Sequence, residues 1–284
     1  MSWSSASGRK EIESQLRRFG GGPDSEVRLA EAALLLSALE KPDEPLDRYL
    51  HHLSLLARDT ADLAAKYDCE TQIADRIAVL NHVIVERYGY GGDHDTYDDL
   101  QNASLPRVID RRRGLPIALG ILYVHAARAQ DWVVSGLNFP GHFMLRFDLG
   151  SERAIVDPFN GGRVRDTAEL RSILKAFAGN DAELKPEHYT PMLNRDILIR
   201  LQNNIKLRLM QDKRLDRAVE VVESMLMISP ERAGIWHDAG VLHTHVGNLR
   251  AAILAFEHYM ELSHDSKGLS ETAGLLAELK GRLH

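Results

Sequence analysis

A chain of 284 residues, 44% hydrophobic and 27% charged, can fill one large domain or two ordinary ones around a core of normal size. Its net charge of -6, from 35 basic and 41 acidic residues, speaks against nonspecific nucleic-acid binding, which draws on many Lys and Arg contacts to phosphate. One cysteine, Cys69, excludes an internal disulfide and points to a reducing, cytoplasmic setting; Met1 leads into Ser, Trp and charge rather than an apolar leader, and no run approaches the roughly 18 apolar residues of a membrane span.

Residues 1–23, rich in Ser, Gly and charge, read as a flexible N-terminus. Helices follow. Leu29, Ala32, Ala33, Leu36 and Leu39 form an apolar stripe that Lys41-Pro42 stops, and Leu46, Tyr49, Leu50, Leu53 and Leu56 form a second. A third helix is predicted from Ile73 to Tyr88, broken by Gly89, Gly91 and Gly92. Asp93 to Asn102 reads as an exposed acidic loop, and Leu105 to Arg112 as a short helix. Pro116 to Ala129 is apolar nearly all round, so this helix must be buried on most sides, with Pro116 in its first turn, where a missing N–H costs nothing.

Three strands are predicted next: Trp132 to Leu137, His142 to Leu149 and Ala154 to Asp157. In the second, His142, Met144, Arg146 and Asp148 share one face, and Phe143, Leu145, Phe147 and Leu149 the other. A turn at Leu149-Gly150 pairs Asp148 with Ser151, and that register sets His142 directly opposite Asp157 on the same face. The two side chains are therefore expected to be neighbours on strand pairing alone.

After Asn160-Gly161-Gly162 the chain is helical, with a domain boundary expected in the Pro-containing stretch Lys185 to Pro191. Two C-terminal segments superimpose with an offset of 34 residues, which aligns Ala218 with Ala252, Val222 with Phe256 and Lys206 with Gly240. That is the period of a tetratricopeptide (TPR) helix–turn–helix unit. The second copy keeps Trp236, Gly240, Gly247, Ala252 and Phe256; the first keeps Ala218 and Pro230 but has Lys206 where a small residue is usual.

Gly114-Leu115-Pro116-Ile117, Phe139-Pro140-Gly141-His142-Phe143 and Ile155-Val156-Asp157-Pro158-Phe159-Asn160-Gly161-Gly162 resemble the bacterial family of regulators of sirC expression, with transglutaminase-like and TPR domains. The resemblance implies a papain/transglutaminase-like fold, in which a Cys at the start of a buried helix is activated by a His that an Asp orients. It places His142 and Asp157 at the His and Asp positions and, counting back along the buried helix, Pro116 at the Cys position. Proline has no group that can act as a nucleophile. Cys69 lies in the helical front and reads as a small buried hydrophobe. Arg113 and Asn160 are candidate pocket neighbours; their structural alternatives are an arginine capping carbonyls and a turn residue.

Other constellations are weak. Asp93-His94-Asp95 with Asp98 and Asp99 lacks the EF-hand pattern and reads as solvated acid. His51-His52 and the group His237, His243 and His245 lack metal-site spacing, no HExxH, P-loop or dinucleotide motif occurs, and Arg111-Arg112-Arg113 is too short for a nucleic-acid patch. The expectation is an α+β chain without cofactor or metal: a transglutaminase-like domain over 24–185 with a helical front and a small antiparallel sheet, then an all-α TPR-like domain over 191–284. Two functional readings stand. One is a noncatalytic scaffold that binds a protein or peptide and neither nucleic acid nor membrane. The other is a hydrolase or lyase using the His142–Asp157 dyad on water.

Overall fold

The computed structural model describes residues 8–42 and 44–283, which form two compact units. The first spans Arg28–Ile197; the second comprises Arg9–Val27 and Leu198 onward. No helix among the described residues is long and apolar enough to cross a membrane.

Helix α1 (Gly8–Gly21) occupies most of the stretch expected to be flexible, whose residues 1–7 lie outside the described residues. Its composition is polar, yet Ile12 and Leu16 fall one turn apart and are fully buried, which anchors the helix within the second unit. Gly20 abuts the backbone of Met227 so closely that a Cβ would stand 2.2 Å from the Met227 carbonyl oxygen.

The first unit opens with α2 (Leu29–Ala38), α3 (Asp47–Ala64) and α4 (Ile73–Asn81), which continues through a π-helical turn at His82–Arg87. The two-residue strands β1 (Gly91–Gly92) and β2 (Arg113–Gly114) pair in parallel on either side of α5 (Leu105–Arg111). Helix α6 (Pro116–Arg128) is buried as its composition demands; of its residues only His125 is partly exposed and only Arg128, at its end, is exposed. Strands β3 (Val133–Leu137), β4 (Met144–Leu149), β5 (Glu152–Asp157) and β6 (Arg163–Val164) make an antiparallel sheet in sequence order. Helix α7 (Thr167–Ala178) starts on a capping box, Asp166 with Glu169, and lays Leu170 and Leu174 against Leu137, Met144 and Ile155.

Against α6 the fit is tight. Phe143, 2% exposed, wedges between Gly120 of α6 and Gly136 of β3, where added Cβ atoms would stand 2.4 and 2.7 Å from its ring. The segment expected to be a domain boundary ends against the edge of the sheet. Pro191 bridges Leu137, and the Met192 N–H donates to the Gly136 carbonyl at 2.8 Å, an edge position where a proline's missing donor is tolerated. The division between units falls later, inside α8 (Asn194–Gln211).

In the second unit α9 (Leu215–Ile228), α10 (Ala233–His245), α11 (Leu249–Leu262) and α12 (Ser266–Leu283) continue as antiparallel neighbours joined by short turns. The repeat alignment has a physical basis. The Phe256 ring sits on Gly240, where a Cβ would meet it at 2.6 Å. At the equivalent position of the first copy, buried Lys206 instead pairs with Asp238. Two helical glycines should therefore respond with opposite signs. Gly240→Val should lower unfolding free energy by about 1–3 kcal/mol through overpacking. Gly274→Ala in α12, where nothing lies within 4 Å, should raise it by about 0.5–1 kcal/mol. Urea denaturation checks both, and equal shifts would contradict this packing.

Candidate functional site

Two loops bring His142 and Asp157 together. Phe139-Pro140-Gly141-His142 forms a β-turn: Gly141 has φ +72° and the His142 N–H donates to the Phe139 carbonyl at 3.1 Å. Pro at the second position and a positive-φ Gly at the third are what a type II turn requires. With Phe143 wedged in the core, the turn presents His142 at the mouth of β4.

The strand register is not the expected one. Leu149 pairs with Glu152 and Leu145 with Val156, so the turn is Gly150-Ser151, one residue later than predicted, with Gly150 at φ +57°. Extending this register sets Asp157 across from Met144, and His142 reaches it diagonally. The predicted neighbourhood survives because moving a hairpin turn by one residue shifts each partner by two, which keeps the same residues on the same face.

His142 Nε2 lies 2.9 Å from Asp157 Oδ1. The carboxylate accepts, so Nε2 carries the proton of this bond. Asp157 is fully buried and accepts far more than that one bond. The backbone N–H groups of Phe159 and Asn160 donate to Oδ1 at 3.1 and 3.3 Å, an Asx turn. Asn160 Nδ2 donates to Oδ2 at 2.8 Å, and Arg165 grips Oδ2 through Nη2 at 2.7 Å and Nε at 3.2 Å. Burial pushes the carboxyl upward, but the bond and charge of His142, with the bonds from Asn160 and Arg165, outweigh it and hold Asp157 well below the usual carboxylate range. Arg165 also meets Glu169 at the start of α7.

The loop after Asp157 is fixed from behind. Gly162, at φ +72°, donates its N–H to the Asp157 carbonyl, and its own carbonyl accepts from Asn81 Nδ2 at 3.0 Å. Tyr123 of α6 donates to Asn81 Oδ1 at 2.9 Å.

The remaining candidates are distributed around this pair. Pro116 is buried at the head of α6, and no side chain caps that helix start. Cys69 is buried in the turn between α3 and α4, with burial pushing its thiol upward. Arg113 is exposed and donates from Nη1 to the carbonyls of Gly89 and Arg112, the capping role weighed for it. The acidic loop is not wholly solvated. Asp93 is buried, accepts from the Thr96 N–H and hydroxyl and pairs with Arg111 at 2.8 Å; these contacts hold its carboxyl well below the usual range against the upward push of burial. No group of three or more potential metal ligands occurs among the described residues.

Between that loop and the Phe159–Gly161 turn lies an open groove of about 970 Å³. Arg113 and Asn160 line it together with Phe159; His142 and Pro116 are not in its wall. The Phe159 ring contacts His142 edge-on at 6.3 Å and His94 at 4.5 Å, so one aromatic separates groove from dyad.

Beneath the groove, Arg112 sits at φ 59° as the α5 C-cap and donates through Nη1 to His52 Nε2 at 2.8 Å and to the Tyr90 hydroxyl. A guanidinium only donates, so Nε2 is the unprotonated nitrogen of a neutral ring. Burial, reinforced by the Arg112 charge, lowers the His52 pKa from 6.5 to about 4. The unfolded chain therefore binds the extra proton between these values. His52 contributes stability in full above pH 6.5 and loses it as pH falls toward 4, by up to about 3 kcal/mol. His52→Leu should flatten that part of the stability–pH curve, leaving the smaller same-sign contribution of half-buried His125, whose pKa burial also lowers. An unchanged slope between pH 6.5 and 4.5 would contradict it.

Comparison with known proteins agrees with this organisation. A family model described as the transglutaminase-like superfamily matches residues 47–203, and one described as a tetratricopeptide repeat matches residues 205–279. A UPF0162 protein of Xylella fastidiosa strain Temecula1 is 29% identical over 259 residues, covering 90% of this chain and 91% of that one. A UPF0162 protein of Vibrio cholerae is 27% identical over 236 residues, covering 83% and 86%. Protein SirB1 of Salmonella typhimurium is 26% identical over 158 residues, covering 55% and 58%.

Proposed function

Because the chain belongs to the transglutaminase-like superfamily, we propose that its first unit is a noncatalytic form of that fold, joined to a tetratricopeptide-type unit, and that the protein works by binding a protein or peptide partner in a regulatory role. The observation that carries this reading is the state of Asp157. In a working triad the carboxylate serves the histidine; here Arg165, Asn160 and two backbone N–H groups hold it as well. The His–Asp pair then acts as a clamp that ties the His142 turn to the Asp157–Gly162 loop. The assignment of Pro116 to the cysteine position and the burial of Cys69 in the turn between α3 and α4 support the same reading. A single buried thiol also fits a reducing, cytoplasmic setting. The regulatory element rests on the resemblance to the bacterial regulator family, and the partner on the repeat unit.

One observation favours the second reading, a hydrolase or lyase. Among the described residues the His142 side chain hydrogen-bonds through Nε2 alone, and it keeps 18% exposure, which leaves Nδ1 available to a water. His142→Ala decides between them. The binding reading expects a stability loss of about 1–2 kcal/mol and no turnover by either protein across a broad panel of esters and amides. Turnover by wild type that disappears in the variant would establish the enzyme and remove the scaffold.

A further inference from the structure

The groove beside Phe159 holds two charges of opposite sign that the fold leaves unused. Arg113 is fixed at one corner, its Nη1 on the carbonyls of Gly89 and Arg112, while Nε and Nη2 make no hydrogen bond among the described residues. Its neighbour Arg111 is consumed by Asp93 and Asn102 and offers nothing comparable. On the loop side, exposed Asp95 makes no ion pair among the described residues. Nothing lies within 4 Å of the Cβ positions of Gly89 and Gly161, so main chain is open to close approach along the groove. Phe159, itself buried with its ring against His94 and Tyr97, closes the groove between these polar ends.

We propose that this groove binds a short peptide segment through a carboxylate, with Arg113 as its anchor and the open main chain at Gly89 and Gly161 as the track for the peptide backbone. A planar guanidinium held at one corner keeps a two-donor edge, which matches the two oxygens of a carboxylate. Asp95 makes the groove a poor host for a dianion such as phosphate, while it favours a peptide carrying a cation elsewhere. A volume of about 970 Å³ is at the upper end for small-molecule sites and suits a few residues of extended chain. The proposal deepens the binding reading above and rests on it.

The test is calorimetric titration of the full chain with acetyl-Ala-Phe-Ala bearing a free C-terminal acid, the same peptide as its amide, acetyl-Ala-Phe-Glu-amide, and inorganic phosphate. The acid should bind and its amide at least tenfold more weakly; recovery by the Glu peptide would assign the carboxylate to a side chain, and no recovery to a chain terminus. Arg113→Gln should weaken the acid at least tenfold and Arg113→Lys by less. If Arg113→Gln misfolds by circular dichroism, the Arg113→Lys titration and the acid–amide comparison on wild type decide. Equal binding of acid and amide, phosphate binding as tightly as the acid, or no binding by any probe would overturn the proposal. The two ideas fail separately. A silent groove leaves open a partner held by the repeat unit, whereas ester or amide turnover that depends on His142 removes the scaffold and leaves these titrations unaffected.

Discussion

Asp157→Ala should destabilise the first unit by about 3–5 kcal/mol, the cost of removing one partner from a buried ion pair. Arg165, 13% exposed, would be left beside Glu169 without its main counter-charge, and the donors of Phe159, Asn160 and His142 would lose their acceptor. His142→Ala should cost far less, because Asp157 keeps every other partner. Denaturant unfolding of the two variants tests the ranking: comparable losses would mean that the dyad, rather than the Arg165 pair, holds the loop. The pH dependence carries the same information. Asp157 has a depressed pKa in the folded chain, so its stabilisation is complete above about pH 4, the unfolded carboxylate value, and drains away as pH falls below it. In Asp157→Asn that lowest acid limb should be shallower, while the His52 window between pH 6.5 and 4 stays as in wild type.

What was legible in the sequence follows from which interactions are local. The buried helix α6, the turn at Pro140-Gly141 and the 34-residue repeat each announce themselves through composition or period, because each is decided by residues close in the chain. The His142–Asp157 contact was legible for a subtler reason. Face sharing depends only on parity, so a turn misplaced by one residue gave the wrong opposite partner yet the right pair. Arg165 was not legible. It reaches Asp157 across a loop whose path depends on Gly162 packing against Asn81 and Tyr123, and nothing local encodes that contact. The one available signal was Asp166-x-x-Glu169, the capping box that starts α7 immediately after Arg165. Helix α1 was missed because a polar surface hides two buried residues at helical spacing, and the acidic loop because an Asp-x-x-Thr turn draws Asp93 inward.

Phe143→Ala should be the second large loss, about 3–5 kcal/mol for deleting a fully packed aromatic ring. Its slot is defined by two absences, the missing side chains of Gly120 and Gly136, so the surrounding backbone has little freedom to close over the cavity. The consequence reaches the site because Phe143 follows His142 directly. Once the ring is gone, the turn that presents His142 loses its anchor in the core, and the 2.9 Å bond to Asp157 loses its fixed geometry. Phe143→Leu, which fills much of the slot, should keep most of the stability and the His142 position; Gly136→Ala should act like a partial Phe143 deletion by forcing the ring out. The readouts are the denaturation midpoint and the imidazole NMR resonances of His142. A Phe143→Ala protein that loses stability but keeps the His142 resonances unshifted would show that the Asp157 loop alone positions the imidazole, and that the wedge serves the core without serving the site.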